Sequence, residues 1–563
     1  MDRFWTKHYP QGVPAEIDPS RYGSLVDLLE EAFETHRDEE AYILMGKALT
    51  YGDLDRHSRA FAAYLQSLGL QQGDRVAIMM PNVLQYPIAM AGVIRAGLIA
   101  VNVNPLYTAR ELLHQLNDSG AKAIVILENF ASVLEEVIAQ TGVKHVVVTS
   151  VGAMLGFPKG NVVDLVLRRV RRQVPAFDLP GHVRFAAALK KGEGAAFAKP
   201  SIDRNDVAVL QYTGGTTGVS KGATLLHHTI IANLLASEAW MQPALSKNPP
   251  EGQLTYICAL PLYHVFAFIT CMLLGMRTGG RCVLIVNPRD LDATIKEMGK
   301  YRFHVMPGVN TLFNALNGRE DFRALDFSQF RVANGGGMAV QRPVAERWLE
   351  ITGAPICEGY GLSETSSGVT CNPTDSETFT GTIGLPLPNV EIKILDDDQN
   401  EVPLGERGEI AIRGPQVMRD YWQRPDETKR AFTDDGFFLS GDVGVMDERG
   451  YTTIVDRKKD MILVSGFNVY PNEVEGVAVA HPGVSEAACV GVPDPDSTEA
   501  IMLFVIRSDE GVTAESIREH CAKQLTGYKK PRYIEFRDDL PRTNVGKILR
   551  RELRDEGARI VGG

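Results

Sequence analysis

The sequence contains 563 residues and carries a net charge of −11. A single hydrophobic core usually stops growing at about 250–300 residues, so this length predicts at least two domains. Hydrophobic residues make up 44% and charged residues 23%, which is typical of a globular protein with a large core. Broad nucleic-acid binding requires a basic surface, and the negative charge argues against it, although a local positive site can still bind small anions.

The cysteine pattern and the N-terminal residues indicate the compartment. The seven cysteines form no CxxC pair, and their spacing predicts neither a zinc site nor a disulfide framework, which fits a reducing cytoplasm best. The N-terminus lacks the basic and then apolar pattern of a signal peptide. The longest apolar run, 265–276, is shorter than the roughly 20 residues of a membrane-spanning helix, so we expect a buried helix there.

Strand-like and helix-like segments alternate through the first part of the chain. Apolar runs predict buried strands at 74–80, 122–127 and 144–149, and apolar residues fall at helical spacing in 88–98. This alternation is typical of layered α/β sheets with parallel strands.

Residues 162–174 combine apolar and basic side chains. Five apolar residues fall at helical spacing and predict one apolar face: Val163, Val166, Leu167, Val170 and Val174. Arginines occupy positions 168, 169, 171 and 172. Basic amphipathic helices lie at the interface of anionic membranes, but the pattern also fits valines packed on the protein beside solvated arginines. The sequence leaves both interpretations open.

The segment YTGGTTGVSKG, residues 212–222, follows a predicted strand at 207–210. Glycines allow backbone N–H groups to turn around a phosphate, hydroxyl groups add donors, and a lysine supplies charge. It is not a Walker A loop, because Lys221 lies three residues after Gly218 and no serine or threonine follows it. The pattern favours a phosphate-binding loop over a plain flexible turn.

The pattern changes near residue 391. Segments 391–395 and 408–413 alternate polar and apolar residues around a turn-like run of aspartates, which predicts a small antiparallel sheet. The charged segment 456–460 lies between two strand-like runs. We place the domain boundary there, which gives an N-terminal domain of residues 1–456 and a C-terminal α/β domain of residues 457–563.

Further motifs follow the loop: GYGLSET (359–365), SGD (440–442), DRKKDMI (456–462) and NVGKI (544–548). In this order they resemble the motifs of the adenylate-forming superfamily, which includes acyl-CoA ligases, peptide-synthetase adenylation domains and firefly luciferase. NGGGM (334–338) and VSGFNVYP (464–471) are most similar to the bacterial long-chain fatty acid–CoA ligases. The motifs span most of the chain, and the set is far more specific than any one of them.

The resemblance implies a two-step reaction. A carboxylate is a poor electrophile, so ATP first converts a fatty acid of medium or long chain into an acyl-adenylate, with release of pyrophosphate. Coenzyme A then displaces AMP. The implied fold is a large N-terminal domain of layered α/β sheets with a small antiparallel region, followed by a small mobile C-terminal domain. The hinge falls within 456–461, at Lys459, although a lysine in a charged linker also fits that residue type.

The resemblance also assigns roles to individual residues. Lys547, His264 and Glu364 are the expected catalytic residues, with Lys547 stabilising charge on the carboxylate and the α-phosphate and His264 beside the acyl carboxylate. Glu364 and Thr217 are expected to hold Mg²⁺, a hard cation that prefers oxygen ligands. The expected ATP- and AMP-binding residues are Thr213, Gly214, Gly215, Thr216, Thr217, Gly218, Lys221, Gly359, Tyr360, Gly361, Ser363, Asp442 and Arg457.

The sequence motifs indicate the acyl and coenzyme A sites less specifically than the nucleotide site. The expected acyl pocket consists of Phe268, Gly335, Gly336 and Gly337. A characterised subgroup has a gating tryptophan at the position of Phe268, and the gating role is therefore open here. Ser465 and Gly466 are expected to serve thioester formation, because a glycine without Cβ allows a pantetheine arm to pass close to the backbone.

Three alternatives stay open. An acyl-AMP ligase would load a separate carrier protein; few residues follow Lys547, so we expect no fused carrier domain. A ligase for short or aromatic acids would share the general motifs. A non-enzymatic lipid-binding protein would have no use for Lys221, Asp442 and Lys547 together. The expected partners are a fatty acid, ATP and coenzyme A, with no nucleic acid, and the expected location is cytoplasmic. Peripheral contact with the inner face of an anionic membrane is left open. The family includes dimers, so a homodimer is left open as well.

Overall fold

The computed structural model describes residues 3–213, 220–465, 467–495, 497–543 and 546–562. The chain forms a large N-terminal domain of layered α/β sheets with an antiparallel region, and a smaller C-terminal α/β domain. The predicted fold class is confirmed. The predicted strands are present as Arg75–Met79, Ala123–Leu127 and His145–Thr149.

One sheet of the N-terminal domain leads into the predicted phosphate-binding loop. Its strands are parallel except at one edge, where Val207–Tyr212 and Gly222–Leu226 run antiparallel. The loop therefore connects the two strands of a hairpin. In sheet order the strands are Val183–Arg184, His145–Thr149, Ala123–Leu127, Arg75–Met79, Ile99–Asn102, Val207–Tyr212 and Gly222–Leu226.

A second sheet has a parallel centre and antiparallel strands at both edges. The GYGLSET motif lies in its strand Ile356–Leu362 and in the short helical turn Ser363–Thr365 that follows. Gly361 is required here, because a Cβ at this residue would lie 1.9 Å from the Ser367 carbonyl oxygen of the next strand. In sheet order the strands are Leu385–Pro386, Ser367–Cys371, Ile356–Leu362, Val332–Gly335, Val305–Gly308, Thr255–Cys258, Arg281–Leu284, Glu40–Leu44 and Lys47–Thr50.

Helices cover these sheets. Helix Gln85–Arg95 is buried along its whole length, in agreement with the apolar spacing of 88–98. The expected buried helix at 265–276 is present in three parts, with a wider turn at Phe268–Leu273 between Val265–Ala267 and Leu274–Arg277. The other helices of this domain are Leu25–Thr35, Tyr51–Ser67, Ala109–Ser119, Ala131–Val137, Lys159–Leu165, Phe185–Glu193, His227–Lys247, Leu291–Met298, Asn310–Asn317, Glu320–Arg323, Arg342–Thr352 and Pro425–Ala431.

The predicted antiparallel region is confirmed. Its strands Glu391–Leu395 and Arg407–Arg413 pair in antiparallel register, with Glu391 opposite Arg413. The strands that follow are Phe438–Met446 and Thr452–Arg457. They place Asp442 directly opposite Arg457. Two residues of the predicted nucleotide site are therefore neighbours across one strand pair.

The C-terminal domain has its own apolar core between a sheet and helices. Its strands are Phe467–Val469, Ile462–Val464, Thr498–Arg507, Val484–Asp494 and Tyr533–Arg537, and its helices are Pro471–Val479, Ala514–Gln524 and Arg550–Gly562. The antiparallel sheet of the N-terminal domain ends at Arg457, and the first strand of the C-terminal domain begins at Ile462. The domain boundary at 456–457 stays a prediction. Among the described residues, no helix has the length and the apolar character needed to cross a bilayer.

Candidate active site

A cavity of about 1000 Å³ lies where the two N-terminal sheets, the antiparallel region and the C-terminal domain meet. The structure brings together at its wall predicted residues that are far apart in the sequence. Those that line it are Thr213, Lys221, His264, Gly336, Gly337, Gly359, Tyr360, Gly361, Ser363, Glu364, Arg457, Lys459 and Lys547.

Other predicted residues do not line the cavity. Asp442 lies buried directly behind Tyr360 and Arg457. Gly335 faces the core, because a Cβ there would meet the side chains of Ile356 and Val340. Ser465 is exposed on the C-terminal domain. The remaining predicted residues, Gly214, Gly215, Thr216, Thr217, Gly218 and Gly466, lie outside the described part of the chain.

The expectation that Phe268 lines the acyl pocket differs from the structure. Its backbone N–H donates to the His264 carbonyl oxygen at 3.0 Å and starts a helical turn that directs the side chain into the core, where it is fully buried. Phe266 lines the cavity instead. A Cβ on Gly336 would lie 3.1 Å from the Phe266 ring. Of the two phenylalanines that follow His264, Phe266 is therefore the one that lines the cavity.

Lys547 reaches the cavity on a tight turn of the C-terminal domain. The Thr543 N–H donates to the Lys547 carbonyl oxygen at 2.7 Å, and the Lys547 N–H donates to Thr543 Oγ1 at 3.1 Å. Gly546 has a φ of +80°, and a Cβ there would lie 2.7 Å from Thr311 Oγ1 of the N-terminal domain. A glycine therefore permits both the turn and the close approach of the two domains.

The surroundings of Lys547 lower the pKa of its ammonium group. Removal of water around its ammonium group, together with the positive charge of Arg457, lowers the pKa to about 8, while Asp442 acts in the opposite direction. A lysine with this pKa is still mostly protonated at neutral pH. It supplies a positive charge to the wall of the cavity.

His264 is neutral in this arrangement. Its Nδ1 accepts a hydrogen bond from the Phe266 N–H at 3.3 Å, and burial together with the charge of Lys547 lowers its pKa to about 4. Because Nδ1 is the acceptor, the proton of the neutral ring is on Nε2. That nitrogen is therefore available as a hydrogen-bond donor.

Asp442 holds two neighbours through its two oxygens. Tyr360 Oη donates to Oδ2 at 2.6 Å, and Arg457 Nε lies 3.0 Å from Oδ1. Burial, followed by the negative charge of Asp442, raises the pKa of Tyr360 well above its usual value, so the hydroxyl stays protonated as a donor. The ring of Tyr360 lines the cavity while its hydroxyl is fixed behind it.

A second polar group surrounds Glu364. Tyr421 Oη donates to Glu364 Oε1 at 2.7 Å, and the Tyr421 ring centroid lies 4.7 Å from Lys221 Nζ. Lys221 Nζ also lies 2.8 Å from Glu427 Oε2. The segment that carries Tyr421 is fixed to the hairpin, since the Trp422 N–H donates to the Gly222 carbonyl oxygen at 2.8 Å. Tyr421 therefore links the predicted metal-binding carboxylate with the predicted phosphate-binding lysine.

The donor set at this wall fits a hard divalent cation. Glu364 lines the same cavity as Thr213 and Lys221, which flank the central part of the predicted phosphate-binding loop. Mg²⁺ is commonly held by one or two carboxylates together with substrate phosphates and water, so a dedicated cluster is not needed. Accordingly, no group of three or more His, Cys, Asp or Glu residues in metal-binding arrangement occurs among the residues that the structure describes.

Sequence reasoning missed several polar residues of the wall. They are Asn104, Tyr107, Glu111, Tyr263, Tyr421, Arg424, Glu427, Arg542 and Thr543. Helix Ala109–Ser119 fixes one end of the hairpin loop, since His114 Nε2 lies 2.9 Å from the Ser220 carbonyl oxygen. Tyr263, Arg542 and Thr543 lie in the segments around the predicted residues His264 and Lys547, whereas the others are brought to the site by tertiary contacts and carry no local signal.

Another part of the wall is apolar. Trp240 and Met241 of helix His227–Lys247 line it together with Leu274, Val305 and Val332. The Trp240 indole is fixed, because its Nε1 donates to the Asn372 carbonyl oxygen at 3.0 Å. One cavity thus combines a cationic, hydroxyl-rich region with an apolar region. It suits a ligand with an anionic head and an apolar tail.

These motifs, their order and the shared cavity define an enzyme that binds AMP. Residues 29–422 match the family described as AMP-binding enzyme, and residues 473–547 match the AMP-binding enzyme C-terminal domain. The chain belongs to the AMP-binding enzyme family, and the predicted resemblance to the adenylate-forming superfamily is confirmed.

Similar proteins narrow the subfamily. The chain is 53% identical over 557 residues to the long-chain-fatty-acid–CoA ligase of Escherichia coli O6:H1, which covers 99% of this chain and 98% of the relative. It is 53% identical over 561 residues to the long-chain-fatty-acid–CoA ligase of Yersinia pestis, and the alignment covers 100% of this chain and 99% of the relative. Among solved structures, ATP-bound MatB from Rhodopseudomonas palustris has a TM-score of 0.81 and 28% identity, covering 95% of this chain and 99% of that one. The predicted similarity to bacterial long-chain fatty acid–CoA ligases is confirmed.

Proposed function

We propose that this protein is an ATP-dependent ligase that joins a long-chain fatty acid to coenzyme A through an acyl-adenylate. The observation that carries the proposal is 53% identity to long-chain-fatty-acid–CoA ligases over nearly the whole chain. The cavity supports it, because Lys221, Glu364 and Lys547 line the same space as Trp240 and Met241. A carrier-loading enzyme or a ligase for short or aromatic acids is less well supported by these relatives.

In the first half-reaction, the fatty acid carboxylate attacks the α-phosphorus of ATP. A new P–O bond forms to the carboxylate, and the P–O bond to pyrophosphate breaks. Lys547 is the proposed contact for the carboxylate and the α-phosphate, where its charge offsets the negative charge of both groups. His264 Nε2 is the proposed donor to the carboxylate, which it orients for attack.

The nucleotide occupies the rest of the polar wall in this proposal. Tyr360 stacks on the adenine within the frame of Gly359, Gly361 and Ser363. The ribose hydroxyls bind Asp442 and Arg457. At Asp442 they bind beside the Tyr360 hydroxyl, which now donates to the carboxylate, or take its place. The β- and γ-phosphates bind the loop, through Thr213, Gly214, Gly215, Thr216, Thr217, Gly218 and Lys221.

Glu364 and Thr217 are the proposed protein ligands of Mg²⁺. When bound, the ion would neutralise charge on the phosphate oxygens of ATP. Tyr421 would orient the Glu364 carboxylate through its hydrogen bond, and Lys221 would exchange its contact with Glu427 for a phosphate oxygen.

The second half-reaction is proposed to follow a domain rotation. Lys547 lines the cavity here while Ser465 is exposed outside it, an arrangement that fits the adenylation step. Rotation at Lys459 of residues 457–563 against residues 1–456 would withdraw Lys547 and bring Ser465 and Gly466 to the adenylate. The thiolate sulfur of coenzyme A would then attack the acyl carbon, and AMP would leave.

The acyl chain is proposed to enter the apolar part of the cavity. Gly336 lies against the Phe266 ring, where a Cβ would be only 3.1 Å from a ring carbon, so a side chain at this position would narrow the space between them. Trp240 and Met241 of helix His227–Lys247 also line the cavity. This placement makes the helix a determinant of the accepted chain length.

A panel of acids tests the proposal. Acids from acetate to stearate, with benzoate and 4-coumarate, are assayed for pyrophosphate release and for coenzyme A-dependent AMP release. We expect the highest kcat/KM among the long-chain acids, with AMP release only when coenzyme A is present. Preference for an aromatic or short acid, or acyl transfer only to an acyl carrier protein, would contradict the proposal.

The partners follow from this chemistry. We infer a cytoplasmic location, because ATP and coenzyme A are the co-substrates. We also infer peripheral contact with the inner face of an anionic membrane, because long-chain acids partition into bilayers. A homodimer stays a prediction.

A further inference from the structure

The segment 156–172 exposes an unusual number of large apolar side chains. Phe157 is 87% exposed, Val170 72%, Leu165 58% and Val162 56%. The other exposed large apolar residues of the described chain are Leu106, Leu404, Ile560 and the pair Leu463 and Phe467, so no other segment exposes more than two. Isolated exposed apolar residues are normal, but several within one short segment indicate an interaction surface.

The apolar face that the sequence predicts is divided between the core and the surface. Val163 and Leu167 pack on the core, although the helical spacing places them on one face with Val170. After helix Lys159–Leu165 the chain makes a wider turn, in which the Arg171 N–H donates to the Val166 carbonyl oxygen at 2.8 Å. The wider turn rotates the following residues by a smaller angle than an α-helix. Val170 therefore faces solvent.

The segment is held firmly to the fold. Asp164 accepts hydrogen bonds from Ser150 Oγ at 2.6 Å and from the Gly152 N–H at 2.8 Å. Arg168 forms two hydrogen bonds of 2.8 Å to the buried Glu128 carboxylate. The segment is thus presented in a fixed orientation, and Arg168 acts as its anchor.

The remaining arginines are available at the surface. Arg169, Arg171 and Arg172 are exposed, and they form no ion pair with any residue in the described ranges. The only acidic residue of the segment is Asp164, which is bound to Ser150 and near Arg168. On a chain with a net charge of −11, this segment therefore presents three arginines without an ion-pair partner among the described residues, together with exposed apolar side chains.

We propose that this surface docks the protein on an anionic lipid bilayer. We name it the arginine face and define it by Phe157, Leu165, Val170, Arg169, Arg171 and Arg172. The apolar side chains insert at the boundary of headgroups and acyl chains, and the arginines bind lipid phosphates. The choice of a bilayer over a protein partner rests on the proposed function, because a long-chain acid is dissolved in the bilayer.

Cosedimentation with vesicles at low salt tests the arginine face. The full-length parent protein is expected to pellet with phosphatidylcholine vesicles that contain phosphatidylglycerol, to pellet less at raised salt, and to stay in solution with pure phosphatidylcholine. Replacing Arg169, Arg171 and Arg172 with glutamine should lower the partition coefficient by about fivefold for each arginine. Phe157→Ser combined with Leu165→Ser should lower it as well, because the inserted apolar area is lost.

Matched variants control for charge and for apolar area. Lys296, Arg347 and Lys523 are exposed and far apart in the sequence, and replacing them with glutamine removes the same charge. Leu404→Ser removes an apolar residue that is 49% exposed elsewhere. Both controls should bind vesicles as the parent does. Every variant should keep its activity on acids dispersed in detergent, so a loss of vesicle binding is distinguished from a failure of the proposed function.

Several outcomes would overturn the assignment. They are a parent protein that stays in the supernatant, an arginine variant that pellets equally well, and a control triple variant that loses as much binding. Analytical ultracentrifugation without lipid tests whether this face instead binds a second copy of the chain. If the parent is a dimer and Phe157→Ser converts it to a monomer, the face joins two copies of the chain instead of a bilayer.

Discussion

The Asp456 carboxylate accepts a hydrogen bond from the Asn472 N–H at 2.8 Å. Asp456 is the second-to-last residue of strand Thr452–Arg457, on the N-terminal side of Lys459, and Asn472 lies in the first turn of helix Pro471–Val479 beyond it. Arg550 fixes Asn472 from the other side, because its Nη2 donates to Asn472 Oδ1 at 2.7 Å. A rotation at Lys459 would separate Asp456 from Asn472. This contact therefore holds the arrangement in which Lys547 lines the cavity.

Lys459→Pro tests the hinge. Proline fixes φ near −65°, so the variant should keep adenylation and lose most of thioester formation from supplied acyl-adenylate. No hydrogen bond from the Lys459 backbone N–H occurs among the described residues, so the loss of this donor should not disturb the present arrangement. Lys459→Ala is the control, since it removes the side chain and leaves the backbone free. Single-turnover assays of both half-reactions decide the matter, and undiminished coenzyme A transfer in the proline variant would contradict a pivot at this residue.

Tyr421→Phe tests the link between Tyr421 and Glu364. The variant keeps the ring beside Lys221 and removes only the hydroxyl that donates to the carboxylate. A hydrogen bond to a charged group contributes about 1.5–3 kcal/mol, so kcat/KM for ATP should fall about tenfold or more. Thioester formation from supplied acyl-adenylate should be unaffected. Equal effects on both half-reactions would show that Tyr421 supports the fold instead of the ATP site.

The pH dependence of adenylation reports on Lys547. With a pKa of about 8, Lys547 loses its charge as the pH rises, so kcat/KM for pyrophosphate exchange should fall above pH 8. Lys547→Ala should lower the rate by about 10²–10³ and remove this descending limb. Thioester formation from supplied adenylate should keep its rate at high pH in both proteins. A limb that persists in the alanine variant would assign the titration to another group.

The layered sheets could be predicted because their signals are local. The runs at 74–80, 122–127 and 144–149 are apolar over the length of a strand, and the structure places strands there. For 162–174 the predicted apolar face is only partly kept, because Val163 and Leu167 pack on the core while Val170 faces solvent. A wider turn at Val166–Val170 changes the angle between residues, and periodicity that assumes an α-helix cannot reveal it.

The site could be predicted only where motifs mark it. Glu364 and Lys221 were identified from contiguous segments, whereas Tyr421 and Glu427 carry no local signal and reach these residues through tertiary contacts. Phe266 and Phe268 both follow His264, and the choice between them depends on the direction of one helical turn. A sequence pattern does not specify that direction.

Glu358 offers the last prediction, a pH-dependent stability. It is a buried carboxyl that accepts one hydrogen bond, from the Val340 N–H at 3.1 Å, and burial raises its pKa to about 8. The folded protein therefore retains a proton that the unfolded chain releases near pH 4.5, the ordinary pKa of a glutamate side chain. Because the folded state binds more protons in this window, the free energy of unfolding should decrease as the pH rises from 4.5 towards 8, by on the order of 3–5 kcal/mol, and level off above 8.

Glu358→Gln keeps an acceptor oxygen of the same shape and removes the titration. The variant should match the parent below pH 5 and become the more stable protein above pH 8, as measured by the urea midpoint of the N-terminal domain across the pH range. Glu350→Gln, an exposed glutamate on helix Arg342–Thr352, is the control and should follow the parent at every pH. If the parent and Glu358→Gln differ by a constant amount from pH 5 to pH 9, Glu358 is ionised in the folded protein and its pKa is not raised by burial.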